Sequence, residues 1–358
     1  MRELLATLEE WAATDPEMAL ATVIRTTGST PRPPGARLLV SRDGRMAGSI
    51  SGGCLEAAVV EEAQATLMGA VPPRILHYGI SDELGWEVGL ACGGSLDVLV
   101  ETLRWDGSDP ALVELGEALG ARRPVALLSP LEGDLLGCRA VSGEAGTLVG
   151  GITDTALAQA APAAVRAHLA SGLPGTEVLA GTAVFIDPMG PPAQLVIIGA
   201  VHVAIALARM ARTVGYRVVV IDPRRAFLSA ERIPDADLLI PRWPQDALPG
   251  LALGARDAAV CLAHDPKFED PALALLLRSQ VGYVGAIGSR STHARRLARL
   301  WESGFDESAT SRIRGPVGLD LGAATPEEIA LSILAEVVAS RRGGEATPLF
   351  ARARTASR

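Results

Sequence analysis

The spacing of apolar residues divides the chain into two parts with different patterns. In the first part, a helical period over residues 3–14 precedes short β-rich runs, which are separated by the turn-rich stretch GSTPRPPG. The later predicted elements are a strand over residues 134–141 and helices over about 55–68, 110–120 and 155–171. This mixture of elements predicts an α/β domain over residues 1–187.

The second part alternates strands and helices regularly. It follows a proline- and glycine-rich break, DPMGPPA at residues 187–193, and opens with QLVIIGA, a continuously apolar run typical of a buried parallel strand. The stretch TPEE at residues 325–328 is a capping box that predicts a last helix ending near Arg341. We therefore expect a Rossmann-like doubly wound parallel sheet over residues 193–342. The arginine-rich tail, residues 343–358, is expected to be disordered.

Composition narrows the classes of function. The net charge of −8 at pH 7 argues against a surface for nucleic acid or anionic membranes, since such surfaces need basic clusters. No apolar run is long enough to span a bilayer, and the charged N-terminal stretch lacks the apolar core of a signal peptide. The four cysteines form no CxxC pair, which argues against a zinc or dithiol motif. We therefore expect a cytoplasmic protein with reduced thiols.

The glycine turn after the first strand of the second part departs from a dinucleotide-binding fingerprint. Gly199 supplies the first glycine, and Asp222 ends the next strand, where an acidic residue takes a ribose hydroxyl. The second glycine position is Val201, whose side chain projects where a pyrophosphate must approach the backbone. The pattern predicts the fold but only weak binding of NAD(P), and a doubly wound sheet without a nucleotide is the alternative.

A second anion site is predicted at Gly288, Ser289 and Arg290, where a later strand of the same sheet passes into a helix. Backbone N–H groups at a helix start and a guanidinium group together suit an anion. The alternative is a glycine turn with a serine N-cap and a solvent-facing arginine.

In the first part, a glycine pair and a cysteine stand directly before a helix, in the stretch GSISGGCLEAAVVEEA. The N–H groups of Gly52 and Gly53 suit an anion at this helix start, and a helix N-terminus stabilises a thiolate at Cys54. Glu56 lies in the first helical turn, where it could also accept a proton. The alternative is a buried structural cysteine in a tight turn with a capping carboxylate.

Two further features extend this candidate site. Cys92 stands beside Gly93 and Gly94 before a strand, and convergence with the Cys54 loop would form a thiol-bearing cradle for a metal or sulfur ligand. Arginines beside a rigid loop suit a phosphate, although surface arginines on strand edges are the alternative. The arginines around the turn GSTPRPPG are Arg25, Arg32 and Arg37.

Together these motifs resemble the XdhC/CoxI family, whose members are accessory proteins of molybdenum hydroxylases such as xanthine dehydrogenase and aerobic carbon monoxide dehydrogenase. The stretches that carry the resemblance, in the family order, are TVIRTTGSTPRPPGARLLV…DGRMAGSISGGCLE, CGG, IIGAVHVA…VVVIDPR, GAIGSR and GPVGLDLGAATPEEIALSILAEVVASRR. The resemblance covers nearly the whole chain apart from about residues 105–180 and the tail. The family usually reads Gly-Ala-Gly-His in the Rossmann turn, so Val201 is a departure that argues against NAD(P).

The resemblance implies a chaperone that binds the molybdenum cofactor (molybdopterin) rather than a catalyst. Such a protein holds the cofactor while a cysteine desulfurase supplies the terminal sulfido ligand, and then delivers it to a molybdenum hydroxylase apoenzyme. We expect Cys54 to contact the molybdenum. The residues assigned to cofactor binding on these grounds are Gly52, Gly53, Cys54, Glu56, Cys92, Gly93, Gly94, Arg25, Arg32, Gly199, His202, Asp222, Arg224, Gly288, Ser289 and Arg290.

Two rival functions stay open. One is an NAD(P)-dependent oxidoreductase that uses the Rossmann half, with Cys54 as a redox or covalent residue, and Val201 argues against it. The other is a non-catalytic nucleotide-binding regulator, which the lack of a DNA-binding element disfavours. The sequence leaves open which hydroxylase is served and whether the protein forms a homodimer.

Overall fold

The computed structural model describes residues 1–79, 94–263 and 265–348. The chain forms two compact units, of which the first is Met1–Pro191 and the second begins at Pro192, inside the proline- and glycine-rich break. Cys92, Gly93 and the part of the tail over residues 349–358 lie outside the described residues. Within the described part of the chain, no helix is long and apolar enough to cross a membrane.

The first unit contains two antiparallel sheets of five strands each. The strands of the first sheet, in the spatial order β3-β2-β1-β5-β4, are β1 (Glu17–Thr27), β2 (Arg37–Val40), β3 (Met46–Gly48), β4 (Arg74–Tyr78) and β5 (Ser95–Arg104). Helix α1 (Leu5–Ala12) precedes this sheet, and α2 (Glu56–Leu67) covers one of its faces. Alternate apolar residues of β1 and β5 point at α2, where they bury Val59 and Ala63.

The second sheet of the first unit has the order β8-β7-β6-β10-β9. Its strands are β6 (Val125–Pro130), β7 (Ala140–Gly143), β8 (Leu148–Gly150), β9 (Gly175–Leu179) and β10 (Thr182–Met189). Helix α3 (Pro110–Gly120) packs, together with α1, against strands of both sheets in a shared core. Helix α4 (Thr155–Ser171) covers the other face of the second sheet.

One predicted element of the first unit is wrong. The segment expected to be a strand over residues 134–141 begins with a 3₁₀ turn at Gly133–Leu135, and β7 starts only near the end of the segment. Gly133 and Gly137 have φ angles of +64° and +87°, which lie outside the strand region of backbone conformations. Leu135, Leu136 and Cys138 therefore lie in a turn, and only Ala140 and Val141 at the end of the segment lie in a strand.

The second unit is built on a six-stranded parallel sheet of order β13-β12-β11-β14-β15-β16. Its strands are β11 (Gln194–Ile198), β12 (Arg217–Ile221), β13 (Leu238–Ile240), β14 (Ala258–Cys261), β15 (Tyr283–Ala286) and β16 (Ile313–Arg314). Its helices are α5 (His202–Thr213), α6 (Pro244–Ala247), α7 (Pro266–Arg278), α8 (Arg290–Glu302), α9 (Glu307–Thr310) and α10 (Pro326–Arg342). This is the strand order of doubly wound nucleotide-binding folds, and it confirms the predicted Rossmann-like sheet.

Helices cover both faces of this sheet. Helices α5 and α10 pack on one face around Leu207 and Ile333, and α7 packs on the other around Leu273. The capping box predicted at the start of α10 is present, since the Thr325 hydroxyl and the Glu328 carboxylate each accept a hydrogen bond from the other residue's N–H group. Because all six strands run in the same direction, their carboxyl ends lie along one edge of the sheet, hereafter the carboxyl edge.

Candidate functional site

The loop between β3 and α2 folds around the carboxylate of Glu56. Its Oε1 accepts hydrogen bonds from the Ser49 hydroxyl at 2.8 Å and from the N–H groups of Ser51 and Gly52 at 3.0 Å. Its Oε2 accepts from the N–H of Gly53 at 2.8 Å and from the Ser51 hydroxyl. Glu56 is only 8% exposed, so these donors replace water around a buried charge.

These hydrogen bonds set the protonation state of Glu56. Burial by itself raises the pKa of the carboxyl group, but the bonds from Ser51, Ser49 and the Gly53 N–H outweigh it and hold the pKa well below its usual range. A carboxylate with such a low pKa is a poor proton acceptor at neutral pH. The hydrogen bonds of Glu56 fix the loop, and its low pKa argues against the proton transfer considered from the sequence.

Cys54 is exposed and stands two residues before Glu56, the first residue of α2. The backbone of Gly52 and Gly53 has φ angles of +76° and +118°, a conformation that favours glycine. The N–H groups of both glycines donate to Glu56, so an external anion at either group would compete with a carboxylate of the protein itself. The thiol, in contrast, is open to an incoming group.

The turn over residues 28–32 lies against Gly52 and Gly94. Gly94 is buried, and a side chain at this position would collide with the carbonyl oxygen of Ser29. A Cβ atom at Gly52 would lie 4.0 Å from the Cβ of Pro31. The turn therefore brings the loop of Cys54 and the start of β5 into one region of the first unit.

Two arginines of this turn region differ in their surroundings. Arg25 is exposed and lies 3.6 Å from Oδ2 of Asp97, whose Oδ1 lies 2.8 Å from Nδ1 of His77. Arg32 is half-buried, and its Nε is buried without a hydrogen-bond partner among the described residues. Arg32 therefore offers an unused N–H donor, while Arg25 offers an exposed positive charge.

The third arginine of the group, Arg37, joins the two sheets of the first unit. Its Nη2 lies 2.5 Å from Oδ2 of Asp187 on β10, and both side chains are buried. The N-terminal amino group of Met1 lies beside this pair, and its pKa is lowered to about 5 by burial and by the charge of Arg37. Arg37 therefore pairs with a carboxylate in the interior of the first unit and is not a surface arginine.

In the second unit, the loop after β11 has the predicted glycine turn. Gly199 has a φ of +105°, and a Cβ there would lie 3.0 Å from the backbone nitrogen of Ala263. Val201 is the N-cap of α5, and its half-buried side chain packs against the core under this helix. His202 is exposed at the first position of α5. An apolar side chain thus fills the position at which dinucleotide folds have a second glycine.

Asp222 follows β12 and is fully buried. Both of its carboxylate oxygens accept hydrogen bonds from N–H groups of the protein. Its Oδ2 accepts from the N–H of Ala200 at 2.8 Å, and its Oδ1 accepts from the N–H of Arg224 at 2.9 Å. The guanidinium group of Arg224 also donates to Oδ1 at 2.9 Å and to Oδ2 at 2.7 Å. Burial by itself raises the pKa of Asp222, but these bonds outweigh it and lower the pKa. A ribose hydroxyl could reach this carboxylate only by displacing Arg224.

Gly288, Ser289 and Arg290 lie at the start of α8, on the carboxyl edge. Gly288 has a φ of +139°, the Ser289 hydroxyl accepts from the N–H of Thr292 at 3.1 Å, and Arg290 is exposed. Behind this turn, the fully buried Arg296 donates to the carbonyl oxygen of the residue before Gly288 at 2.6 Å. The serine is thus used as an N-cap, and anion binding at this turn stays a prediction.

Two residues that sequence reasoning missed hold the Cys54 loop together. Ser49 and Ser51 supply three of the hydrogen bonds to Glu56. The spacing Gly53-x-x-Glu56 was the available signal, because a glutamate can accept a hydrogen bond from the N–H three residues earlier, as Glu56 does from Gly53. Across residues 1–79, 94–263 and 265–348, no group of three or more His, Cys, Asp or Glu side chains could hold a metal ion.

Comparison with known proteins covers both units. The model of the XdhC and CoxI family matches residues 11–79, and the model of the XdhC Rossmann domain matches residues 195–337. A crystal structure of a xanthine dehydrogenase from Bacillus halodurans is similar with a TM-score of 0.69 and 27% identity, over 97% of this chain and 98% of that chain.

Two curated relatives are similar over most of their length. A probable xanthine dehydrogenase subunit of Bacillus subtilis is 28% identical over 91% of this chain and 94% of that protein. The molybdenum cofactor insertion chaperone PaoD of Escherichia coli is 30% identical over 90% of this chain and 83% of that protein. With both units matched in order, this chain belongs to the XdhC and CoxI family.

Proposed function

We propose that the protein is a cytoplasmic chaperone that holds the molybdenum cofactor while a cysteine desulfurase adds its sulfido ligand. It then delivers the cofactor to the apoenzyme of a molybdenum hydroxylase. Similarity to a protein named as a molybdenum cofactor insertion chaperone supports this class of function. The observation that carries the proposal is the exposed thiol of Cys54 on a loop held in shape by Glu56.

The surroundings of Cys54 suggest how the work is divided among the residues. A thiolate is a soft ligand, which suits the molybdenum end of the cofactor. The N–H groups of Gly52 and Gly53 already bond Glu56, so they are not free to hold the phosphate. Arg25 and Arg32 are the better candidates for it, because Arg25 is an exposed cation and the Nε of Arg32 has no hydrogen-bond partner among the described residues.

The substitution Cys54→Ser tests this proposal. Because Cys54 is exposed, the thermal midpoint should stay nearly unchanged, while molybdenum and pterin bound per protein should fall after purification from a host that makes the cofactor. Cys138→Ser is the matched control, since Cys138 is a half-exposed cysteine of the same unit and should load normally. If Cys54→Ser loads and delivers the cofactor like the parent protein, the assignment of Cys54 is wrong.

Delivery is tested separately in cells. A host that lacks this protein should accumulate its molybdenum hydroxylase with little sulfurated cofactor, and the missing activity should return when the protein is supplied. If a cysteine desulfurase adds the sulfido ligand as proposed, it should co-purify with the protein when the two are expressed together. A fully loaded and active hydroxylase in the deletion host would refute the delivery role, whatever the outcome for Cys54.

A further inference from the structure

Helix α10 carries apolar residues on its outer face as well as on the face that packs on the sheet. The inner face buries Ile333 and Val337 in the core of the second unit. On the outer face, the large apolar side chains of Leu331 and Val338 are 51% and 37% exposed, and the half-buried Ala335 lies between them. An α-helix turns by about 100° per residue, so these three residues form one stripe along the helix, hereafter the outer stripe.

A charged residue stands at each end of the outer stripe. Glu327 lies in the first turn of α10, four residues before Leu331, and Arg342 ends the helix, four residues after Val338. Residues four apart lie on the same side of a helix, so both charges are in line with the stripe. Both side chains are exposed, and neither forms an ion pair or hydrogen bond with the described part of the chain. The outer stripe therefore begins with an unpaired negative charge and ends with an unpaired positive charge.

The outer stripe is complementary to itself when a second copy of α10 runs antiparallel to it. The midpoint of the stripe lies directly before Ala335. Glu327 and Arg342 are equally far from this point along the helix, and so are Leu331 and Val338. A two-fold axis through this point places Glu327 opposite Arg342 and Leu331 opposite Val338 of the other copy, because both copies use the same surface. The small side chain of Ala335 beside the axis lets the two helices approach to the usual distance of about 8–10 Å.

We propose that the protein forms a homodimer through the outer stripe, with the two α10 helices antiparallel. Burial of Leu331 and Val338 from both copies drives the association, and two pairs between Glu327 and Arg342 fix the register. Helix α10 has 17 residues and is about 25 Å long, so a single pair of helices gives an interface at the small end of the range for protein complexes. The dimer is accordingly weak, with a dissociation constant on the order of 10 μM.

Sedimentation velocity of the full-length protein at several concentrations tests whether this dimer forms. The parent should change from monomer to dimer as its concentration rises from about 1 μM to about 100 μM. Leu331→Gln removes apolar surface from both copies at an exposed position, so it should weaken the dimer roughly tenfold while the thermal midpoint of the monomer stays nearly unchanged.

Two variants with reversed charges test the antiparallel register. Glu327→Arg alone places two positive charges against Arg342, and Arg342→Glu alone places two negative charges against Glu327. Each variant by itself should dimerise roughly tenfold more weakly than the parent. Mixed in equal amounts, the two variants should associate with each other about as tightly as the parent, because both pairs across the axis then join opposite charges.

The matched control is Glu302→Arg, which makes the same change of charge at the exposed end of α8, on the other face of the sheet. It should leave the dimer unchanged. The proposal is overturned if the parent stays monomeric at about 100 μM, or if Leu331→Gln dimerises like the parent. It is also overturned if the mixture of the two reversed variants associates no better than each variant alone. A reversed charge can weaken α10 through the helix dipole, but such a loss would not be recovered by mixing.

Discussion

Replacing Glu56 with glutamine should loosen the Cys54 loop while keeping the size and shape of the side chain. In the parent protein, the N–H of Gly53 donates to Oε2 of Glu56 at 2.8 Å. If the amide oxygen of glutamine takes the place of Oε1, its NH₂ group faces this N–H, and two donors then stand against each other. A buried donor left without its acceptor costs about 1–3 kcal/mol, and the bonds from Ser49 and Ser51 also lose the help of a charge. We expect Glu56→Gln to lower the free energy of unfolding of the first unit by about 2–4 kcal/mol.

Urea unfolding of the full-length variant measures this loss, and hydrogen exchange of the loop amides locates it. The N–H groups of Gly52 and Gly53 should exchange faster in Glu56→Gln than in the parent. The control is Glu61→Gln on the exposed side of α2, which should change the stability by less than about 0.5 kcal/mol. An unchanged midpoint together with unchanged protection of the two glycine amides would refute the role given to Glu56.

The same carboxylate gives the stability of the loop a defined dependence on pH. The pKa of Glu56 in the folded protein is lowered below its usual value of about 4.5. The stabilisation is therefore fully present above pH 4.5 and is lost as the pH falls toward the folded-state pKa. The difference in stability between the parent and Glu56→Gln should accordingly be largest near neutral pH and shrink in acid.

Two further predictions concern the buried pair of the first unit and the thiols. Arg37→Ala leaves Asp187 buried without its partner and should lower the free energy of unfolding, measured by thermal unfolding, by about 3–5 kcal/mol. Arg42→Ala, which breaks an exposed ion pair, should lower it by less than about 1 kcal/mol. In the native protein, iodoacetamide should label Cys54 quickly and Cys261 hardly at all by mass spectrometry, since Cys261 is fully buried and burial raises the pKa of its thiol. Equal labelling of both thiols would contradict the burial argument.

The fold could be predicted where local signals and burial agree. Helix α3 was predicted with its observed bounds, and in the structure Asp109 caps it and a proline stands at its first position. Helix α10 was predicted to within one residue at its end, since a capping box marks its start. Most of the strand expected over residues 134–141 is absent because Gly137, with a positive φ, turns the chain, and apolar spacing does not report backbone conformation.

The candidate sites were predicted as positions along the chain, but not as hydrogen-bonding patterns. The sequence located the glycine-rich loop before α2 and the acidic residue after β12. It could not tell whether the N–H groups of Gly52 and Gly53 face an external anion or Glu56, because both arrangements use the same residues. Nor could the sequence show that the guanidinium group of Arg224 donates to Asp222. Whether this side chain takes the place of a ligand depends on its conformation, which the sequence does not give.

The carboxylate of Glu56 has a consequence for the proposed function, in which the protein binds a cofactor and releases it again. A loop that is ordered only by a bound anion becomes disordered when the anion leaves, and each new binding event again costs the conformational entropy of ordering it. Here the negative charge at the centre of the loop is covalently part of the chain. Under the proposed function, the empty and loaded states can therefore share one loop conformation, and transfer would exchange ligands at the thiol without refolding the loop.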